Sequence, residues 1–362
     1  MTVKRKKQLR SGYTTGACAA AATLGAARML KQQQMVDTVE LELPAGVTAR
    51  FKLGGQHFSP EQAGCFVVKD AGDDPDVTDG VEVHALVEKN DAGSLEIRGG
   101  VGVGTVTKPG LPVAVGQPAI NPVPRQMIEA AVRSVYGDDA IRVTISIPDG
   151  EERSKRTLNE RLGIVGGLSI LGTTGIVRPI SHRAWTDTID VAIDVALAGV
   201  GDAVVLVTGR TSERVAQDYF DLPGESFVMM GDHVGYALDA CRRKQVPRII
   251  VAAQFAKLLK VACGHRQTHV SSSRLDLAAL AGWYRNAGLD ASVAEKIECA
   301  NTAREVLTTA LQPAVLGDLV ARKARSFMSE WAGGRDVEIV LVGYDNEVFA
   351  EYQSDMEKGR EQ

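Results

Sequence analysis

The sequence predicts an α/β protein in two parts: an N-terminal two-layer α+β domain over residues 1–180 and a C-terminal Rossmann-like three-layer α/β/α domain over residues 181–362. Three observations carry this. A length of 362 residues suits two domains, each able to bury a core. The first half strings together short alternating strands with few crossover helices. In the second half, wholly apolar strand segments alternate with helical segments, the pattern of a parallel sheet covered on both faces.

The totals exclude several function classes. Hydrophobic content of 44% and charged content of 24% are those of an ordinary soluble protein. A net charge of −4 argues against nucleic-acid binding, which calls for a basic excess. Cys18, Cys65, Cys241, Cys263 and Cys299 are odd in number, widely spaced and form no CxxC pair. That suits a reduced, cytoplasmic chain better than a disulfide scaffold or a zinc site. The basic run Lys4–Lys7 reads as a solvated tail, because the Ala/Gly-rich segment after it carries Arg28 and is too weak for a signal peptide. No segment approaches the ~20 apolar residues of a membrane span.

In the first half, Ser11–Leu30 predicts a helix capped by Thr14 or Thr15, with an alanine run that lets neighbours approach closely. Two hydroxyls and a glycine at a helix start also suit an anion. Val39, Leu41 and Leu43 alternate with Glu40 and Glu42, a half-buried strand, and Val47–Leu53 completes a hairpin through Gly46. Further strands follow at Gly64–Lys69, Val81–Glu88 and Ser94–Arg98. Between the first two lie Asp70, Asp73, Asp74, Asp76 and Asp79, an Asx-rich turn or a set of proton or cation acceptors.

Gly99–Arg125 holds six glycines, up to Gly116, and five of the 13 prolines, with Lys108 and Arg125 as its only charges. Glycine permits close approach and proline stiffens, so this is a shaped loop. It reads either as a wall offering N–H groups and two cations to an anion, or as a hairpin followed by a proline-braced helix start. Asn121 caps that helix, and Met127, Ile128, Ala131, Val132 and Val135 form its apolar stripe. Ile141–Ile147 alternates as a strand. Asn159–Pro179 is a second Gly-rich apolar segment, bracketed by Arg161 and Arg178, and Ser181 links it onward.

In the second half, strands are expected at Ala203–Val207, Phe227–Met230, Arg248–Ala252 and Val337–Val342. Helices are expected at Trp185–Leu197, Ser212–Phe220, His233–Lys244, Gln254–Ala262, Leu275–Arg285, Ala303–Leu311 and Ala314–Trp331. Ligands of such sheets lie beyond the carboxyl ends of the strands. That points to Thr208 and Gly209 as a cofactor turn and to Gly231 and Asp232, whose carboxylate either bonds a ribose hydroxyl or caps its helix. His265 and His269 lie in a polar loop with Cys263 and no HExxH glutamate, so a zinc hydrolase is not indicated.

Four strings are specific enough to name a family: GYTTGACAAAA at Gly12–Ala22, KDAGDDPDVT at Lys69–Thr78, VTKPGLPVAVGQPAINPVPRQMI at Val106–Ile128 and LGIVGGLSILGTTGIVRP at Leu162–Pro179. With them the chain resembles the cobalt-precorrin-5B (C1)-methyltransferases of anaerobic cobalamin biosynthesis. The likeness thins in the second half, where Ala256 replaces a family glycine and Val270 follows Thr268-His269 in place of a serine. The resemblance implies S-adenosylmethionine as methyl donor, a corrin precursor as acceptor, and cobalt only inside that substrate, with no protein-bound metal. It implies neither nucleic acid nor membrane as partner; self-association stays open. On it, Thr14, Thr15, Lys108, Asn121, Arg125, Arg161 and Arg178 would contact substrate. Thr208, Gly209, Gly231 and Asp232 would contact the donor, and Asp73, Asp74 or His269 would accept a proton. A non-catalytic tetrapyrrole carrier of the same pathway is the competing class.

Overall fold

In the computed structural model, Thr15–Gln32 is one helix, α1, with 15 of its 18 residues buried. The residues described are 9–91, 93–179, 182–199, 201–309 and 312–352, so Lys4–Lys7, Ser181 and Leu311 lie outside them. A helix enclosed on all sides must be small-sided if its neighbours are to pack at crystal-like density. A Cβ on Gly25 would lie 2.3 Å from Leu53 Cδ1. Thr14 caps α1, its hydroxyl accepting from Ala17 N at 3.2 Å. Gln33, with φ of 51°, closes the other end by donating its N–H to Met29 O at 2.8 Å.

The chain divides into two compact units, Met1–His182 and Arg183–Gln362. The first holds the hairpin β2 (Thr38–Leu43) with β3 (Val47–Lys52). It also holds a five-stranded sheet of β4 (Gly54–Phe58), β5 (Gln62–Val68), β6 (Glu82–Lys89), β9 (Ile141–Ser146) and β7 (Glu96–Gly99), in that order. All neighbours are antiparallel except β7 and β9. Val83, Ala85, Val87, Ile141, Val143 and Ile145 alternate onto one face and pack in a common core with α1 and with α2 (Pro122–Tyr136). Pro122 opens α2, but Asn121 sits at its cap position without a side-chain hydrogen bond to the helix, so the expected asparagine cap is not made. Two short pairings went unpredicted. β1 (Gly12–Tyr13) pairs with β11 (Ile176–Val177), and β8 (Thr105–Val106) pairs with β10 (Ile164–Val165). Strand β4 and the one-turn helix α3 (Gly150–Ser154) were also missed, being too short or too glycine-rich to show a period.

In the second unit β12 (Ala203–Val207), β13 (Phe227–Met229), β14 (Arg248–Gln254) and β15 (Glu338–Val342) are parallel, ordered β13-β12-β14-β15. An unpredicted antiparallel strand, β16 (Val348–Tyr352), forms the edge. The helices are α4 (His182–Ala198), α5 (Arg210–Tyr219), α6 (Val234–Arg243), α7 (Phe255–Ala262), α8 (Leu277–Asn286), α9 (Ala291–Cys299), α10 (Ala303–Thr309) and α11 (Pro313–Trp331). Of these, α9 was not foreseen. Val215 and Ala216 of α5 pack on one face of the sheet with Val205, Val207 and Ile250. Leu238 and Cys241 of α6 pack on the other with Val204, Leu206 and Val251. The chain therefore leaves β12 in one direction over one face and crosses back to β14 over the other. That reversal places a topological switch point at the carboxyl ends of β12 and β14.

Candidate active site

The four strings singled out in the sequence meet in the first unit, held largely by backbone. Tyr13 N donates to Asp70 O at 2.7 Å, Gly16 N to Leu171 O at 3.0 Å, and Asn121 N to Ile170 O at 3.0 Å. A Cβ on Gly12 would fall 2.1 Å from the carbonyl carbon of Ala71, and one on Gly172 would fall 2.4 Å from Thr14 Cβ. Thr15 Oγ1 accepts from Leu171 N at 2.9 Å and faces Ser169 O at 3.2 Å. Both threonines are buried. Their hydroxyls hold the 169–172 segment and the helix start, and so shape the surface of these loops.

Gly99–Arg125 is a hairpin laced to the second Gly-rich segment. Val106 N donates to Gln117 O at 3.0 Å, Gly104 N to Leu168 O at 2.9 Å, and Thr107 N to Gly163 O at 2.7 Å. At its tip, the N–H groups of Gly110, Val113, Ala114 and Val115 have no internal partner among the described residues. The hairpin reading of this segment thus holds at its base, and backbone donors without an internal partner stand at its tip. The aliphatic stem of Lys108 crosses Gly163, where a Cβ would come 2.5 Å from Lys108 Cβ. Arg125 pairs with Glu129 at 3.5 Å, and Arg161 is half-buried. Arg178, just past β11, is exposed and has no ion-pair partner among the described residues. Val101, Val115, Val165 and Leu171 are exposed on the same loops, so cations and apolar surface alternate there.

Most of the aspartates turn out to build the loop. Lys69 is buried and pairs with Asp76 at 2.6 Å, and Asp76 also accepts from Thr78 N and Oγ1 at 2.8 and 2.7 Å. Burial pushes the Asp76 carboxyl up, but the Lys69 ammonium and the Thr78 donors outweigh it and hold the group below its ordinary value. Asp79 accepts from Ala71 N at 2.8 Å, and Asp70 pairs with the Arg10 guanidinium. Asp73 Oδ2 takes the Arg10 N–H at 2.8 Å, and Asp74 is half-buried beside it in sequence. Among the described residues, no group of three or more His, Cys, Asp or Glu side chains is arranged to hold a metal ion.

In the second unit, Gly209 lies at the switch point with open space where a Cβ would stand, and it precedes the N–H groups that open α5. Thr208 Oγ1 lies 3.3 Å from Ser212 Oγ. Gly231, with φ of 57°, turns the chain out of β13 against the Trp185 ring. Asp232 does not cap α6, whose cap position is His233. Its Oδ1 accepts instead from Lys257 Nζ and, at 2.7 Å, from Thr268 Oγ1. Thr268 stood out in the sequence only as part of the polar loop with His269, and Lys257 was given no role; neither was tied to Asp232, because they meet it only through the fold. His269 is exposed, its Nδ1 2.7 Å from Ser271 Oγ; His265 is half-buried, and both lie in a loop. The thiols of Cys18, Cys65 and Cys241 are pushed up to about 12 by burial, which removes them as nucleophiles.

One cleft of about 700 Å³ in the first unit is lined by Leu30, Lys31, Lys89, Tyr136 and Asp139 among others. It lies at the carboxyl end of α1. Leu30, the first of its lining residues along α1, lies roughly 24 Å from Thr14 at 1.5 Å per residue, so the cleft is no part of the converging loops.

The chain matches the family CbiD over residues 2–179 and the CbiD C-terminal domain over residues 267–353. It is 55% identical to a cobalt-precorrin-5B C(1)-methyltransferase of Geobacter metallireducens, an alignment covering 94% of this chain and 98% of that protein. A protein of the same name from Pseudomonas putida is 42% identical, over 90% of this chain and 91% of that one. Among solved structures, a cobalamin biosynthesis protein (cbiD) from Archaeoglobus fulgidus is 30% identical, covering 71% of this chain and 81% of that one with a TM-score of 0.39. Matched along nearly its whole length, the chain belongs to the CbiD family.

Proposed function

We propose that this chain transfers a methyl group from S-adenosylmethionine to ring carbon C1 of cobalt-precorrin-5B, with cobalt arriving inside the substrate. The near full-length likeness to relatives of that name carries the reading. The acceptor is a macrocycle fringed with acetate and propionate carboxylates. It calls for cations and N–H donors around an apolar floor. The hairpin tip, Lys108, Arg125, Arg161 and Arg178, with Val101, Val115, Val165 and Leu171, offer that combination on one unit. Asn121 stands at the same loops, and Thr14 and Thr15 brace them from below.

The second unit reads as Rossmann-like, with the donor beyond the strand ends at Thr208, Gly209, Gly231 and Asp232. The donor supplies a methyl on a positive sulfur that departs neutral, so no strong acid is required. The residues have to align the ring carbon with that methyl, and positioning accounts for most of the rate. Asp73, Asp74 or His269 takes up a proton lost from the ring.

Incubation with substrate and donor should add one methyl mass to the corrin. Tight corrin binding without that mass gain would instead indicate a carrier. Lys108→Ala should raise the KM for the corrin about tenfold, the equivalent of one charge-assisted hydrogen bond. It should cost less than about 1 kcal/mol of stability, because the lysine is not fully buried. An unchanged KM would remove Lys108 from the binding surface.

A further inference from the structure

The carboxylate of Asp232 is half used. Oδ1 accepts from both Lys257 and Thr268, while among the described residues no donor is seated on Oδ2, and the side chain keeps 26% of its exposure. Thr268 is itself fixed: its N–H donates to Asp232 O at 3.0 Å and its carbonyl accepts from Lys260 Nζ at 2.8 Å. A carboxylate pinned through one oxygen has its other oxygen pre-aimed. Position adds to this. Asp232 follows β13, the strand beside β12, at the sheet end where an acidic group meets the hydroxyls of a nucleoside. Next to it the Trp185 indole is 48% exposed and lies 3.2 Å from where a Gly231 Cβ would be. An aromatic face beside a free carboxylate oxygen matches a base joined to a ribose.

We infer that Asp232 Oδ2, with the Trp185 ring, forms the nucleoside subsite for the methyl donor, and that Lys257 and Thr268 are positioning residues that aim Asp232. This rests on the methyl-donor reading above. Neither Lys257 nor Thr268 touches the ligand. Lys257 also keeps Asp232 ionised, so that Oδ2 accepts two hydroxyl protons rather than carrying one of its own.

The test uses the full chain and two probes, S-adenosylhomocysteine and its analogue lacking the 2′ and 3′ hydroxyls, with binding followed by calorimetry. Wild type should prefer the hydroxylated probe by about 10- to 100-fold, the range of a hydrogen bond to a charged group. Lys257→Met and Thr268→Val should lose most of that preference while binding the deoxygenated probe as wild type does. Lys257→Arg should restore it. Trp185→Ala should weaken both probes by the same factor. Loss of both probes in equal measure in Lys257→Met would mean a merely structural role and overturn the assignment. So would a wild type that binds both probes equally. A wild type that binds neither probe would instead overturn the methyl-donor reading.

Discussion

Asp76→Asn should cost the first unit about 3–5 kcal/mol, the loss expected when a buried charge is stranded. The charge left behind is Lys69, whose side chain is 1% exposed, against 26% for Asp76. The asymmetry makes a second statement. Lys69→Met should cost less, because the remaining carboxylate reaches solvent and keeps both Thr78 donors. Urea unfolding followed by circular dichroism measures both variants, with hydrogen exchange over residues 62–89 placing the loss. A cost under about 1 kcal/mol for Asp76→Asn would show that the pair does not hold this loop, and equal costs would show that the difference in burial does not decide which partner is stranded. The pH dependence follows from the same pair. A carboxyl held low in the folded state adds stability above its unfolded value and loses it as pH falls through its folded value. Asp76 should therefore support the loop fully above about pH 4, and the loop should loosen only in more acid solution.

Gly102→Ala should disrupt the Gly-rich loops of the first unit. Its φ is 69°, and a Cβ there would meet Ile147 O at 1.9 Å. The carbonyl of Gly102 is in turn crowded by two other glycines: a Cβ on Gly150 or on Gly167 would come within 2.2 Å of it. Three backbones cross at one point with no side chain able to yield. Strain from the left-handed conformation adds to the collision, for a loss of roughly 3 kcal/mol or more and no methyl transfer. Gly116→Ala is the control. Its φ is 85° but nothing lies within 4 Å of the added carbon, so it should cost only about 1–2 kcal/mol. Equal losses in the two variants would show that the crossing is looser than drawn.

These two cases also mark where reading a sequence succeeds and stops. The Thr14 cap, the β2–β3 hairpin, the stripe of α2 and the apolar runs of β12 and β14 were all legible, because each depends on neighbours in sequence or on a local period. The glycines of the two rich segments were visible, but their reason was not. A glycine that serves a turn and one that lets a second backbone pass look the same until the second backbone is present. The aspartates looked like one acidic cluster. Only packing assigned Asp70 to Arg10, Asp76 to Lys69 and Asp79 to Ala71 N.

The order of residues alone determined the family, the helices and strands with a clear period, and the neighbourhoods rich in glycine and charge. Tertiary structure alone decided which polar atoms are spent and which remain for a ligand. Thr15, buried against Leu171, is spent; among the described residues Arg178 has no ion-pair partner and the second oxygen of Asp232 has no donor. The physical reason is range. Propensity and periodicity act over a few residues, whereas whether a hydroxyl or carboxylate is satisfied depends on groups brought to it from far along the chain, as Lys257 and Thr268 are brought to Asp232.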